Sequence, residues 1–294
     1  MRILLTGTAG RIGRAIHVRL SPVYDIIGLD RSPASTVDIV GDVTNSALLS
    51  SLCAGVNAIV HTAALHAPHV GIVSDAEFER INVEATQKLI ETAIACRVPR
   101  IIFTSTTALY GSSARASDSA VWVDENTHAH PLTIYHRTKL AAEALLQTAA
   151  KEYGLAVRIL RMSRCFPEPA PQMAVYRLYR GVDARDVADA HALALEDVGE
   201  GCNTYIISGT TPFQRDDCSA LWHSAPTVLA RCVPELVRDF ARRGWELPAR
   251  IDRVYDSSKA QRELGWEPRF GYSNVLSLFD QCLSEVLPAV RLRP

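Results

Sequence analysis

Tyr135 and Lys139 stand one helical turn apart, downstream of the hydroxyl-rich run Thr104-Ser105-Thr106-Thr107. Residues four apart on a helix share a face, so the phenol and the ammonium project together. A free tyrosine titrates near ~10, and serving as a base near neutrality requires a downward shift of about three units, or roughly 4 kcal/mol. Nearby positive charge supplies that shift by favouring the phenolate. The same two residue types recur as Tyr255 and Lys259, where we read an ordinary helix entrance in the terminal part of the chain.

A second pattern is built to receive a charged ligand. The apolar run Ile3-Leu4-Leu5 leads into Gly7, Gly10 and Gly13, with Ala9, Arg11 and Ile12 between them, and then into a helix beginning near Arg11. Glycines so spaced let the backbone turn tightly and approach a pyrophosphate, which meets the free N–H groups and positive dipole end of the helix. A second apolar run, Tyr24 to Leu29, ends in Asp30, an acid placed to accept from adenosine ribose hydroxyls. The pattern predicts a dinucleotide. Asp30 predicts NAD, because its charge repels a ribose 2′-phosphate. Arg31 and Arg11 weigh toward NADP if Asp30 turns aside, so NADP is the less favoured cofactor. An oxidised nicotinamide would add to the lysine the positive charge that Tyr135 needs.

Strand-like runs alternate with helical ones to hold these groups: Ile3–Thr6, Asp25–Leu29, Ala58–His61, Arg100–Ser105, Ala156–Leu160 and, later, Thr204–Ser208. This order requires parallel strands joined by crossovers, hence an α/β fold with a doubly wound parallel Rossmann sheet. Pro167, Pro169 and Pro171 mark a change of texture before a helical stretch from Val187 to Leu195. We therefore assign residues 1–165 plus 182–209 to the dinucleotide-binding domain, and 166–181 plus 210–294 to a small mixed C-terminal substrate lobe.

Composition agrees with an enzyme. The 294 residues, 48% hydrophobic and 21% charged, suffice for one large core and a smaller lobe. A formal net charge of -1 offers no attraction for nucleic acid or an anionic membrane. The apolar N-terminus is too short to span a bilayer and reads as the first strand, so a cytoplasmic protein is expected. The seven cysteines are scattered and never form a Cys-x-x-Cys pair, which suits reduced packing thiols. Two helical stretches, Asn82–Cys96 and Tyr135–Tyr153, carry apolar residues over more than one face. They could cover the sheet and still bury a second face in a partner, so a homodimer is expected.

Taken together, the chain resembles the extended short-chain dehydrogenase/reductase superfamily, in its NAD-dependent epimerase/dehydratase branch. The resemblance rests on Gly7-Gly10-Gly13, Asp42-Val43, His61-Thr62-Ala63-Ala64, Asn82-Val83, Tyr110-Gly111, Tyr135 with Lys139, Arg161, Asp186-Val187-Ala188 and Leu264-Gly265-Trp266. It implies that Asp42 and Val43 contact adenine, and that His61, Ala63, Ala64 and Asn82 belong to the cofactor surround. It also implies that Lys139 binds the nicotinamide ribose as well as tuning Tyr135. Thr106 falls where the family places its catalytic serine or threonine, with Ser105 as the runner-up. Family dehydratases carry an acid at the place of Thr107, so dehydration is disfavoured.

For the substrate, the resemblance implies a sugar or sugar derivative oxidised at a secondary alcohol. The stretch between Arg161 and Asp186 is short for gripping a nucleotide diphosphate, and Cys165-Phe166-Pro167-Glu168-Pro169 looks like the corresponding part of uronate dehydrogenases. This leans the reading to a small-substrate sugar or uronate-type dehydrogenase. The alternatives are a nucleotide-sugar epimerase with tightly held NAD and a non-catalytic NAD(P)-sensing regulator. Arg164, Arg177 and Arg180 have the forked geometry that clamps a carboxylate or phosphate, Arg164 and Arg177 being retained as candidate contacts with His66 and Thr107. No metal is expected: His61, His66 and His69 come without a carboxylate or cysteine set, and the chemistry needs no Lewis acid.

Overall fold

The computed structural model describes residues 1–115 and 117–288. Seven parallel strands form one sheet: β1 (Arg2–Thr6), β2 (Asp25–Asp30), β3 (Ile39–Val40), β4 (Ala58–His61), β5 (Arg100–Thr106), β7 (Ala156–Met162) and β8 (Cys202–Ile207). Their order is β3-β2-β1-β4-β5-β7-β8, while β6 (Val121–Val123) pairs in parallel with β9 (Arg253–Tyr255) in a separate two-stranded sheet. The α/β doubly wound arrangement is therefore the one expected. Strand β3 and the small sheet were not foreseen, because two or three residues carry too little periodicity to read.

Both faces of the large sheet are buried, which is why its strands are apolar throughout rather than alternating. Ile3 and Leu5 of β1 point into one core with Ile16 and Leu20 of α1 (Arg11–Leu20), while Leu4 points into the other. The second core is closed by α2 (Ser46–Cys53), α4 (Ala85–Ala95) and α5 (Ile134–Tyr153), with Leu49, Leu89 and Leu146 fully buried. Helix α5 starts at Thr133, whose hydroxyl accepts from the His136 N–H at 3.3 Å, and stops at Gly154 in the left-handed region.

The helix expected from Asn82 to Cys96 begins differently. A short α3 (Asp75–Glu79) runs through one wide π turn, Arg80–Glu84, before α4. That turn swings Asn82 out of the helical register to bond the chain after β4.

The helix Ala170–Tyr176 (α6), residues 218–254 and the helix Tyr272–Asp280 build a distinct apolar core around Met173, Leu221, Phe240, Val254 and Val275. The helix Ala184–Glu196 (α7) belongs instead to the sheet, as do Ala260, Leu264 and Trp266. Trp266 is fully buried there, and its indole N–H donates to the Asp186 carbonyl at 2.9 Å. The seven cysteines are free thiols.

Candidate active site

Strand order reverses between β1 and β4, and in open parallel sheets such a switch point leaves a crevice beyond the strands' C-terminal ends. A cavity of ≈ 550 Å³ opens there, within the size range of ligand pockets. Gly7 leaves β1 with φ +78°, and a Cβ on it would lie 2.5 Å from Thr62 Oγ1 and 2.7 Å from the Ala63 nitrogen. A Cβ on Gly13 would lie 2.0 Å from the Gly7 carbonyl oxygen. Gly10 caps α1, and among the described residues no side chain makes a capping hydrogen bond to its first turn. Bare donors at a helix start with room for close approach fit a pyrophosphate.

At the β2 end, the Asp30 carboxylate lines the cavity and accepts from the Ala9 and Ser32 N–H groups, each at 2.9 Å. It is thus tethered rather than free to turn aside. Arg11 and Arg31 both line the cavity, and Arg11, the competing cation, donates to Glu285 at 2.5 Å. This arrangement fits NAD better than its 2′-phosphorylated form. Ile12, Val43, Ala63 and Ala64 line the same cavity.

Four residues associated with the cofactor do not lie on the cavity wall. Ala9 acts through its N–H on Asp30. Asp42 turns to the Thr44 N–H and hydroxyl, at 2.8 and 2.9 Å, and its neighbour Val43 reaches the cavity instead. His61 is buried between Thr6 Oγ1 and Thr86 Oγ1, at 2.7 and 3.2 Å, and burial pushes its imidazole down to about 3. Asn82 accepts from the Leu65 N–H at 2.8 Å and donates to the Leu65 carbonyl and Thr138 hydroxyl, joining the post-β4 loop to α5. Through these contacts the four shape the loops that line the cavity.

The reacting groups collect at the end of β5. Thr106, Tyr135 and Lys139 all line the cavity, and the Thr106 hydroxyl faces the Tyr135 phenol. Lys139 Nζ donates to the Thr104 carbonyl at 2.7 Å and sits 3.8 Å above the centre of the Phe103 ring. Burial pushes Tyr135 up to about 12 and Lys139 down to about 7; the Thr106 bond opposes the first shift and Glu143 the second. The expected lysine charge is therefore not what governs the phenol in this arrangement, because desolvation outweighs it.

Ser105 also lines the cavity, but its hydroxyl donates to Glu143, one turn beyond Lys139 on α5. Glu143 in turn holds Arg161, with Arg161 Nη2 at 2.7 Å, and Arg161 Nη1 donates to the Tyr110 hydroxyl at 3.1 Å. Behind the strand, Thr104 Oγ1 is hydrogen-bonded to His191 Nε2 at 2.7 Å. Ser105 thus anchors the strand end, whereas the Thr106 hydroxyl accepts from the Ala108 N–H at 3.1 Å and faces the cavity with no carboxylate bound to it among the described residues.

Of the candidate substrate contacts, His66, Thr107 and Arg164 line the cavity. Arg177 does not: it is 3% exposed and its guanidinium is committed to Asp183 at 3.0 Å. Arg180, weighed beside it, does line the cavity. Sequence reasoning missed Arg115, His136, Arg253 and Tyr255, which complete the wall. Arg253-Val254-Tyr255 carries a legible signal: in a strand the outer two share a face, and Val254 fills the lobe core while its neighbours reach the cavity.

The model of the NAD dependent epimerase/dehydratase family matches residues 3–180, which hold the glycine loop, Thr106, Tyr135 and Lys139. The chain belongs to that family. Within reach of the epimerase/dehydratase family by sequence, a dTDP-glucose 4,6-dehydratase of Streptomyces antibioticus is 29% identical over 92% of this chain and 88% of its own length. A uronate dehydrogenase of Agrobacterium fabrum is 28% identical over 57% of this chain and 63% of its own length. By structure, a short-chain dehydrogenase/reductase superfamily protein from Agrobacterium tumefaciens with bound NAD superposes with a TM-score of 0.70 at 21% identity, over 94% of this chain and 95% of that one. This last likeness establishes the shared fold. The family's cofactor is NAD, in accord with the tethered Asp30.

Proposed function

We propose that the chain oxidises a secondary alcohol of a small sugar or sugar derivative, as a net NAD-dependent dehydrogenase. The observation that carries this reading is the gathering of Thr106, Tyr135 and Lys139 on one cavity wall, with Asp30 at the opposite, ribose end as the sole carboxylate among the described lining residues. Bound NAD supplies the hydride acceptor and a cationic ring. Thr106 holds the substrate hydroxyl, and Tyr135 accepts its proton. Lys139, one turn from Tyr135, would hold the nicotinamide ribose, and Gly7, Gly10 and Gly13 would admit the pyrophosphate; the cationic ring of bound NAD would supply the positive charge that the buried phenol needs. Loss of water from a vicinal carbon needs an acid and base beside the reacting carbon, and Thr107 provides neither carboxylate nor imidazole there. This disfavours the dehydratase chemistry named for some relatives.

Arg253, brought to the cavity from the terminal lobe, favours a second reading, in which a nucleotide sugar is epimerised with no net change in NAD. The two separate in one assay. Protein with NAD is challenged with free sugars, sugar acids and nucleotide sugars while absorbance of reduced nicotinamide and products are followed. Net NADH from a free sugar or sugar acid supports the dehydrogenase; isomerised nucleotide sugar without NADH overturns it. Tyr135→Phe should lower turnover by about 10²–10⁴-fold while sparing NAD binding. A variant with full activity would remove Tyr135 from the role of base.

A further inference from the structure

Arg164 and Arg180 are 16 positions apart in sequence but adjacent in space. Arg164 N donates to the Arg180 carbonyl and Val182 N to the Arg164 carbonyl, each at 3.0 Å, so the backbone itself sets the two side by side. Their guanidinium carbons lie 5.9 and 5.0 Å from the centre of the same Tyr176 ring, and both side chains line the cavity. Their place along the sheet is the β7 end of the cavity. Arg164 follows the end of β7, and Met162 of that strand pairs with Thr106 of β5. The glycine loop leaves β1, three strands away in the sheet order, and Arg11 of the helix that follows it comes back to contact Cys165, the neighbour of Arg164.

Charge around the two arginines is uneven. Arg164 donates to Glu168, and Arg253 on the facing wall donates to Asp252. Arg180 Nε is buried with no hydrogen-bond partner among the described residues, a state shared by Arg11 Nε toward the glycine loop and Arg177 Nε behind the wall, and of the three only Arg180 stands beside Arg164 without a carboxylate bonded to its guanidinium. A buried guanidinium N–H left unmade is costly, and a planar fork is satisfied best by a carboxylate or phosphate. No protein carboxylate lines the cavity at this end among the described residues.

We propose that Arg180, with Arg164 beside it, forms an anion subsite that receives a carboxylate or phosphate carried by a monosaccharide substrate whose alcohol faces Thr106 and Tyr135. This rests on the hydride-transfer reading for the placement of the alcohol, while the anion subsite itself is defined by binding. Tyr176 holds both guanidiniums in place, and Arg164, already shared with Glu168, acts as the weaker arm. Arg180 is thereby the residue that distinguishes a charged sugar from its neutral parent.

The test is calorimetric binding to the NAD-loaded protein of D-glucuronate, D-glucose 6-phosphate, D-glucose and UDP, followed by NADH formation with the three sugars. The expected result is binding of glucuronate or glucose 6-phosphate about 100-fold tighter than glucose, the better of the two naming the anion. Arg180→Gln should erase most of that preference, and Arg180→Lys should restore part of it. Equal binding of all three sugars, an unchanged preference in Arg180→Gln, or Arg180-dependent binding of UDP alone would overturn the subsite. Tight, Arg180-dependent binding without NADH would support the subsite and count against the dehydrogenase reading. NADH from glucose with no charge preference would support the dehydrogenase and sink the subsite.

Discussion

At the scale of single residues, burial decides the charge states around the cavity. Burial pushes His61 and His191 down to about 3 and about 4, so both are neutral in the folded chain at neutral pH, whereas an unfolded histidine titrates near ~6.5. Below that value the unfolded state binds protons that the folded state refuses, so stability falls as pH drops from 6.5 toward 4. The expected loss is about 2 kcal/mol per imidazole at pH 5. Thermal melts between pH 7 and 5 should show a shallower slope in His61→Gln and in His191→Gln; parallel curves would refute the assignment. Type and spacing in the sequence pointed to Tyr135, Lys139 and the run Thr104–Thr107, and the family resemblance picked out Thr106 within that run. Type and spacing alone could not separate Ser105 from Thr106, because their roles depend on Glu143, 38 positions away, reaching the first and not the second.

Among elements, the glycine loop shows how one motif serves both fold and ligand. A Cβ on Gly13 would strike the Gly7 carbonyl oxygen, while one on Gly10 would meet only that same atom at 3.3 Å. Gly13→Ala should therefore lower both the melting temperature and NAD affinity. Gly10→Ala should fold with a near-native melting temperature and lose NAD affinity by on the order of 100-fold, because the methyl stands where the pyrophosphate approaches. Equal loss of stability in both variants would refute the division. The strands of the large sheet were legible because runs such as Ile3-Leu4-Leu5 and Ala58–His61 are apolar on both faces. The π turn at Arg80–Glu84 was not, because it goes with bonds from Asn82 to Leu65, 17 positions away, which no local pattern announces.

For the whole molecule, among the described residues no helix is long and apolar enough to cross a membrane. Helix α5 leaves Leu140 and Leu145 only half-buried in the single chain, and Ile94 of α4 likewise. Pairing of two copies through these helices would cover them, and sedimentation at micromolar concentration should give twice the 32.2 kDa chain mass. A purely monomeric profile would refute that pairing. The sequence by itself determined the alternation of strands and helices, the glycine cradle with Asp30, and the proton-transfer set, because each is a local pattern whose chemistry depends on spacing along the chain. Tertiary structure alone decided that Arg180 and not Arg177 reaches the cavity, that Arg253 and Tyr255 arrive from the terminal lobe, and that Trp266 anchors under Asp186. Side chains of one type and similar spacing differ there only in which distant carboxylate or carbonyl they meet, and that is fixed by packing.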